Sequence, residues 1–319
     1  MLVSGANGFV GAALTRALAG AGFRVRAAVR AGTPAGSPSG AGAVETVAVG
    51  DIAARPDWGP ALRGAFAVVH VAGLPHAAGD APVPASRHDA VNHLATARLA
   101  RAALAAGVER FVFPSTATVY GPGDGTPAVE TDPVAPTHPY AASKLAAERA
   151  LHRIARDGPM RAVCLRVPLV HGPGATGNLA ALARLARSGL PLPLGAFGAR
   201  RSLVCLDNLA DLVATLLVTD VDAGGTWNVA DGHDPTLAEI LGALATGQGA
   251  RPPRLVPVPV PALAALARAL GRTEALERLT RPVRVDAGAL RRRLGWRPPR
   301  DALEALAGTG ASFRDQGAR

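Results

Sequence analysis

The first half of the sequence alternates short apolar runs with longer segments that carry the period of a helix. The run AFAVVHVAG is short and almost uniformly apolar, whereas FVGAALTRALAGAG repeats its apolar residues at helical spacing. Strands and helices that alternate in this way predict a parallel sheet with helices packed on both faces. No other feature of the sequence restricts the fold so strongly, and we expect a doubly wound α/β domain.

This rhythm changes after Pro168, where proline and glycine become dense in VPLVHGPGATGN and RPPRLVPVPVP. Helical patterns persist there, but they no longer alternate evenly with strands. We predict that residues 1–167 form the domain with the main sheet and that residues 168–319 form a smaller C-terminal lobe. The segment near residues 202–218 is expected to rejoin the main sheet.

The basic residues restrict the kind of partner that the chain binds. The net charge is +10, and all but one of the 34 basic residues are arginines, which are scattered along the helical segments. The dense run at residues 291–293, followed by Arg297 and Arg300, is not interleaved with aromatic residues, and no nucleic-acid motif is present. We interpret the charge as a solvated surface and expect no nucleic-acid partner.

Cysteines, histidines and hydropathy exclude further classes of protein. Cys164 and Cys205 form no CxxC pair and the eight histidines have no metal-binding spacing, so we expect a reducing compartment and no metal site. The apolar stretch over residues 255–270 is interrupted by three prolines and an arginine, which predicts no membrane span. Met1 leads directly into an apolar run, with no room for a signal peptide, so a cytoplasmic location is expected.

A glycine-rich turn opens the first strand–helix unit. The stretch SGANGFVG spaces Gly5, Gly8 and Gly11 three residues apart, between a predicted strand and a predicted helix. Glycine permits a turn with positive φ and lets backbone N–H groups approach a phosphate at the positive end of a helix. A tight turn without a ligand has the same spacing, but this context favours a dinucleotide site of the Rossmann type.

Two charged residues follow the next two predicted strands, where the adenosine of a dinucleotide would lie. Arg30 occupies a position where an acidic residue would hold the ribose hydroxyls. An arginine there could accept a 2′-phosphate instead, or it could be one more surface arginine. Asp51 could reach the adenine ring or cap a turn. We expect NAD or NADP as the cofactor, and Arg30 favours NADP.

Tyr140 and Lys144 are the most informative pair of residues in the chain. Lys144 is the only lysine in 319 residues, and it lies four residues after one of only two tyrosines. In a helix over residues 139–151 the two side chains share a face. A phenol has a pKa of about 10, and a nearby ammonium lowers it, which predicts an acid/base role for Tyr140. An arginine has a larger and more diffuse charge, which explains why this lysine is retained.

Hydroxyl side chains follow a buried strand in the stretch RFVFPSTATVYG. Ser115, Thr116 and Thr118 fall at the carboxyl end of that strand, where open α/β sheets bind their ligands. They are therefore candidates for the active site, and hydroxyls that only satisfy the core are the alternative interpretation.

Taken in order, these motifs resemble an extended short-chain dehydrogenase/reductase of the NAD-dependent epimerase/dehydratase family, whose members act on nucleotide sugars. The stretches that carry the resemblance are SGANGFVG, VVHVAG, FVFPSTATVYG, PYAASK, LRVPLVHGPG and RRSLVCLDNLADL, in the family's order across residues 3–215. The C-terminal part matches loosely, as is usual for a lobe that varies with the substrate.

The resemblance implies roles residue by residue. It makes Tyr140 the acid/base and Lys144 its partner on the nicotinamide ribose, with Thr116 as the catalytic hydroxyl and Ser115 as the alternative. Implied substrate contacts are Thr118, Asn178 and Arg201. Candidate cofactor contacts are Gly5, Asn7, Gly8, Phe9, Val10, Gly11, Arg30, Asp51, Ile52, Val71, Ala72, Gly73, Asn92, Ser115, Tyr140, Lys144 and Pro168.

Departures from the family pattern narrow the function. Ala117 and Thr118 replace the acidic pair of the family's dehydratases, which argues against loss of water, and His171 stands at a common tyrosine position. We predict an NAD(P)-dependent 4-epimerase or 4-ketoreductase of a nucleotide sugar, a homodimer that serves polysaccharide biosynthesis. The alternatives are an NADPH-dependent reductase of another small ketone and a non-catalytic dinucleotide sensor.

Overall fold

The computed structural model describes residues 1–30, 43–75, 83–269 and 283–317, together with the single positions 271, 273 and 276. Its centre is a sheet of seven strands: β1 (Leu2–Ser4), β2 (Val25–Val29), β3 (Val44–Ala48), β4 (Ala67–His70), β5 (Arg110–Pro114), β6 (Arg161–Arg166) and β9 (Gly225–Asn228). Their order is β3-β2-β1-β4-β5-β6-β9, and every neighbouring pair is parallel.

The helices of the described residues follow the strands in alternation through the first half of the chain. They are α1 (Phe9–Gly20), α2 (Gly59–Leu62), α3 (Ala85–His88), α4 (Ala95–Ala105), α5 (Pro139–Ala155), α6 (Asn178–Arg187), α7 (Leu206–Val218), α8 (Leu237–Gly247), α9 (Val260–Ala269), α10 (Gly288–Leu294) and α11 (Ala302–Gly317). A π-helical turn, Asp89–Leu94, joins α3 to α4, and 3₁₀ turns cover Ile52–Ala54 and Ala117–Tyr120.

Helices cover both faces of the sheet. Val69 of β4 packs into the cluster that α1 and α7 cover, whereas its neighbour Val68 packs with α4 and α5 on the opposite face. Both clusters are largely aliphatic, since only 4% of the residues are aromatic. This arrangement confirms the predicted doubly wound parallel sheet.

The segment near residues 202–218 divides between two parts of the molecule. Its strand, β8 (Leu203–Cys205), pairs with β7 (Leu169–His171) in a separate two-stranded parallel sheet, while α7 packs beside α1 on the main sheet. The strand that completes the main sheet is β9, beside β6. β9 has the sequence GTWN, which lacks an apolar run, so the sequence pattern does not reveal it. The boundary at residue 168 stays a prediction.

A further apolar cluster forms the smaller lobe. It combines α6, α8 and α11, with Leu182, Leu241 and Leu306 in its interior. Helices α8 and α11 approach each other closely. A Cβ on Gly247 would lie only 1.8 Å from the carbonyl oxygen of Ala307. Only glycine permits that approach. The lobe therefore has a core of its own, beside the sheet.

The dense run of arginines makes contacts within the molecule. Arg291 donates to the carbonyl of Ala230, and Arg293 donates to the carbonyl of Asp222 at 2.8 Å. In the part of the chain that the structure describes, no helix is both long and apolar enough to cross a membrane. The same residues contain no group of three or more His, Cys, Asp or Glu side chains that could hold a metal ion.

Candidate active site

The carboxyl ends of the parallel strands open into one cleft of about 700 Å³. All strands of a parallel sheet end on the same side, so motifs that are far apart in the sequence meet there. The lining residues include every candidate cofactor contact: Gly5, Asn7, Gly8, Phe9, Val10, Gly11, Arg30, Asp51, Ile52, Val71, Ala72, Gly73, Asn92, Ser115, Tyr140, Lys144 and Pro168. Thr116 lines the same cleft.

The glycine-rich turn can accept a pyrophosphate. Gly5 has φ +68°, and a Cβ there would lie 2.7 Å from the backbone of Ala72. A Cβ on Gly11 would lie 2.0 Å from the carbonyl oxygen of Gly5, so both positions require glycine. The first turn of α1 holds no acidic residue, and its leading N–H groups have no partner within the helix. These donors and the helix dipole fit an anionic pyrophosphate.

Charged side chains line the other end of the cleft. Arg30 is exposed there, as the sequence pattern suggests. Asp51 accepts a hydrogen bond from the N–H of Ala53 at 2.9 Å, so it caps the following turn while it also lines the cleft. Its second oxygen lies 3.7 Å from the guanidinium of Arg87, another lining residue. No motif marks Arg87 in the sequence, because it is one arginine among many.

Tyr140 and Thr116 line the same cleft, and hydrogen bonding from Thr116 is one influence on the pKa of Tyr140. Thr116 Oγ1 lies 2.9 Å from Thr118 Oγ1 and also accepts from the N–H of Thr118 at 3.2 Å. Burial raises the pKa of Tyr140 to about 12, and hydrogen bonding from Thr116 offsets only part of that rise. The predicted tyrosine and threonine thus form a pair that can pass a proton.

Lys144 departs from the expectation drawn from its spacing. Its ammonium donates to the carbonyl of Pro114 at 2.5 Å and lies 3.9 Å from the ring centroid of Phe113. Burial lowers the pKa of Lys144 to about 8, and it is not among the groups that shift the pKa of Tyr140. The predicted lowering of the Tyr140 pKa by Lys144 is therefore not met in this arrangement, because the ammonium is directed at the end of β5.

The hydroxyl of Ser115 has a different partner from that of Thr116. Ser115 Oγ donates to a carboxylate oxygen of Glu148, which is buried one helical turn after Lys144. This bond occupies Ser115 and leaves Thr116 as the hydroxyl that meets Tyr140. The sequence signal for Glu148 is an acidic residue four positions after the lysine, and sequence reasoning missed it.

Glu148 also begins a buried network that crosses the molecule. Its carboxylate pairs with the guanidinium of Arg166 at 2.9 Å. Arg166 donates to the hydroxyl of Tyr120 at 2.9 Å, and Tyr120 donates to Asn228 Oδ1 at 2.8 Å. These contacts connect α5 through β6 to β9, so the last strand of the sheet supports the geometry of the cleft.

Asn92 connects α5 to the loop after β4. Its Nδ2 donates to Ser143 Oγ at 3.0 Å, and its Oδ1 accepts from the N–H of Leu74 at 2.7 Å. Ser143 in turn donates to the backbone carbonyl of Tyr140 at 2.8 Å. Asn92 therefore fixes the backbone that carries the tyrosine, in addition to lining the cleft.

Three histidines near the cleft were not recognised from the sequence. His70 is fully buried and bonds to Ser4 at 2.6 Å, and burial lowers its pKa to about 3, so it is neutral. His88 and His138 both contact the ring of Tyr140. The sequence pattern that would single out a histidine is the spacing of metal ligands, and none of these three has it.

The predicted substrate residues are less closely grouped. Thr118 lies beside Thr116, but Asn178 and Arg201 are not among the residues that line the cleft. Asn178 is the exposed first residue of α6, and burial lowers the pKa of Arg201. His171, at the family's tyrosine position, is buried 3.2 Å from Asp231, and its other ring nitrogen lies 3.1 Å from Thr309 Oγ1, which joins β7 to α11 of the lobe.

Comparisons with known proteins agree with this geometry. Residues 1–230 match the model of the NAD dependent epimerase/dehydratase family. The chain is 34% identical to a UDP-glucose 4-epimerase of Vibrio cholerae, over 98% of this chain and 95% of that protein. It is 33% identical to a 2′-dehydrokanamycin reductase of Streptomyces kanamyceticus, over 48% of this chain and 44% of that protein. A solved structure of MoeE5 in complex with UDP-glucuronic acid and NAD is 26% identical, with a TM-score of 0.77 over 99% of both chains.

Proposed function

Because the chain belongs to the NAD dependent epimerase/dehydratase family, enzymes of the extended short-chain dehydrogenase/reductase type, we propose that it is a 4-epimerase of UDP-linked hexoses. The observation that carries this proposal is that Tyr140 and Thr116, whose hydroxyls influence one another, line one cleft together with the glycine-rich turn. Likeness over nearly the whole length to a UDP-glucose 4-epimerase supports the substrate class.

The residues of the cleft fit an NAD-type dinucleotide. The first turn of α1 would hold the pyrophosphate, and Asp51 would face the adenosine. Lys144 has three N–H donors, of which one is used on the carbonyl of Pro114. The other two are available for the hydroxyls of the nicotinamide ribose. A dinucleotide held in this way would supply a hydride acceptor that returns the hydride to the opposite face of the same sugar carbon.

Tyr140 and Thr116 handle the proton in this proposal. The oxygen of Tyr140 takes the proton of the sugar 4-hydroxyl as the carbon loses its hydride, and it returns the proton when the hydride comes back. Because burial raises the pKa of Tyr140 to about 12, the phenolate that takes this proton is the minor form at neutral pH, whereas the protonated phenol suits the return step. Thr116 bridges to the substrate oxygen and stabilises the phenolate through its hydrogen bond.

Substrate contacts in the lobe remain proposals. Arg201 and Asn178 are expected to bind the UDP part, in which an arginine meets the diphosphate. We also propose that the protein forms a homodimer, lies in the cytoplasm and serves polysaccharide biosynthesis.

The test is incubation of the purified protein with UDP-glucose, UDP-galactose and UDP-glucuronic acid, with separation of the 4-epimers by chromatography. We expect interconversion of at least one pair without added reductant, and mass spectrometry should find NAD in the purified protein. The Tyr140→Phe variant is the control for contaminating epimerase. Absence of epimers with all three substrates would contradict the proposal.

A second candidate is a reductase of a ketone that is not linked to a nucleotide. Arg30 favours it, because a 2′-phosphate contact suits NADPH, and so does the likeness of half the chain to a 2′-dehydrokanamycin reductase. This candidate predicts a protein without retained dinucleotide that oxidises added NADPH in the presence of a ketone. If neither assay shows activity, a non-catalytic dinucleotide sensor is the alternative that is left.

A further inference from the structure

The ring of Tyr140 has two aromatic neighbours that the sequence motifs do not account for. The ring of His138 lies nearly parallel to it, with centroids 6.1 Å apart and 20° between the planes. The buried ring of His88 meets it edge-on, at 6.1 Å and 67°. Both distances fall in the range of about 4.5–7 Å in which aromatic rings attract one another.

His138 has a second contact with the same helix. It is the N-cap residue of α5, and its Nδ1 accepts a hydrogen bond from the N–H of Ala141 at 3.2 Å. Because Nδ1 is an acceptor here, a neutral His138 carries its proton on Nε2. One imidazole therefore fixes the start of the helix and also contacts the tyrosine ring two residues later.

Tyr140 needs such a support because of its place in the helix. It lies in the first turn of α5, where no preceding helical turn restrains its side chain. Its backbone carbonyl is held by Ser143, and its hydroxyl must meet Thr116 on another element. The ring between these two points is contacted by His138. Rotation of the side chain about its Cα–Cβ bond would separate the two hydroxyls.

We propose, on the premise of the function proposed above, that His138 is a positioning residue for Tyr140. Its ring restrains the Tyr140 side chain against rotation about the Cα–Cβ bond, so that the hydroxyl stays within reach of Thr116. The two roles of His138 depend on different parts of its side chain. The Nδ1 atom caps the helix, and the aromatic ring contacts Tyr140.

Two substitutions separate the roles. His138→Asn keeps a good N-cap residue but removes the ring, and His138→Phe keeps a ring but removes the acceptor. In the Asn variant we expect the thermal midpoint to stay near that of the parent while kcat falls about two- to tenfold, the loss expected for one aromatic contact, with KM unchanged. In the Phe variant the midpoint should fall, and kcat should stay closer to the parent value.

The opposite pattern would overturn the proposal. If kcat follows the thermal midpoint, so that the Phe variant is impaired and the Asn variant is not, His138 is only a cap. His93→Asn is the matched control, since the ring of His93 pairs with Asp89 at 2.8 Å. It should leave kcat unchanged.

The role of His138 can also be tested by a measurement that does not require turnover, so that it does not depend on the proposed function. The chain has two tyrosines, so NMR of isotope-labelled tyrosine gives two ring signals, and Tyr140→Phe assigns them. The Tyr140 signal should shift in the His138→Asn variant, and less in the Phe variant. If no UDP-sugar is converted, the proposed function fails, and an unshifted Tyr140 signal would independently overturn the role of His138.

Discussion

Through Pro168 the predicted cofactor and catalytic residues line one cleft at the carboxyl ends of the strands. In the C-terminal lobe, by contrast, Asn178 and Arg201 lie outside the lining of that cleft. The difference has a topological cause. A parallel sheet brings the carboxyl ends of its strands together whatever the loops contain, whereas the lobe positions its residues by helix packing.

The charges beside the cleft and those on the surface of the lobe are satisfied differently. Lys144 and Glu148, in the first region, are buried, and each has a partner fixed by the sheet. In the lobe, Arg200 is exposed and lies 3.7 Å from Glu239 at the surface. Substitutions of the buried charges beside the cleft should therefore affect the chemistry and the stability, and substitution of Arg201 in the lobe should affect affinity for the substrate.

The largest effect is expected for Tyr140→Phe. Loss of the hydroxyl removes the proton acceptor, so kcat should fall about 10²- to 10⁴-fold, while bound dinucleotide is retained. Single-turnover assays with the UDP-sugar would measure this. Tyr120→Phe is the control, because it removes the other tyrosine hydroxyl, and its activity should stay within about tenfold of the parent. Equal losses in the two variants would mean that Tyr140 has no special role.

Glu148→Gln should lower the free energy of unfolding more than a substitution that breaks an exposed ion pair. It leaves the guanidinium of Arg166 buried without its carboxylate, which costs about 3–5 kcal/mol. Urea unfolding measures the change. Glu45→Gln, which breaks the more exposed pair with Arg26, should cost about 0–1 kcal/mol. A small effect at Glu148 would show that the network does not connect the sheet to the site.

Arg201→Gln tests whether the lobe acts through affinity. If Arg201 binds the diphosphate, KM for the UDP-sugar should rise about ten- to a hundredfold, with a smaller change in kcat. Arg200→Gln is the neighbouring control, and it should leave KM near the parent value. A fall in kcat alone would place Arg201 with the catalytic residues and remove the contrast between the two regions.

Arg30→Ala sharpens the choice of cofactor. Affinity for NADP should fall by about tenfold, the lower end expected for a charge-assisted contact, and affinity for NAD should not change. Titration of both dinucleotides, followed by tryptophan fluorescence, would measure this. Arg16→Ala, on the exposed side of α1, is the control. If the parent binds both dinucleotides equally and Arg30→Ala changes neither, Arg30 is a surface residue.

The smallest effect concerns pH. Burial lowers the pKa of Lys144 to about 8, from 10.5, so activity should decline as the pH rises through about 8 and the ammonium is lost. Between these two pKa values the unfolded chain binds more protons at this site than the native chain. The free energy of unfolding should therefore gain a contribution that rises with pH in this window. Lys144→Met should remove that rise, and a parent-like slope in this variant would contradict the assignment.

The sequence alone determined the fold class and most of the residues around the cleft. The periods of strands and helices are properties of short segments, and the positive φ of Gly5 is a local requirement of its turn. The spacing of Tyr140 and Lys144 follows from the helix itself. Parallel topology then brings these local features to one edge without further information.

Only the tertiary structure decided how those residues interact. The partner of Lys144 is a carbonyl thirty residues earlier, and Ser115 bonds to a carboxylate on another element, so sequence spacing does not reveal either bond. The pKa of Tyr140 rises because neighbouring elements bury it, which reverses the shift expected from its spacing to Lys144. Burial and the choice of hydrogen-bond partner depend on contacts between distant segments, and those contacts exist only once the chain is packed.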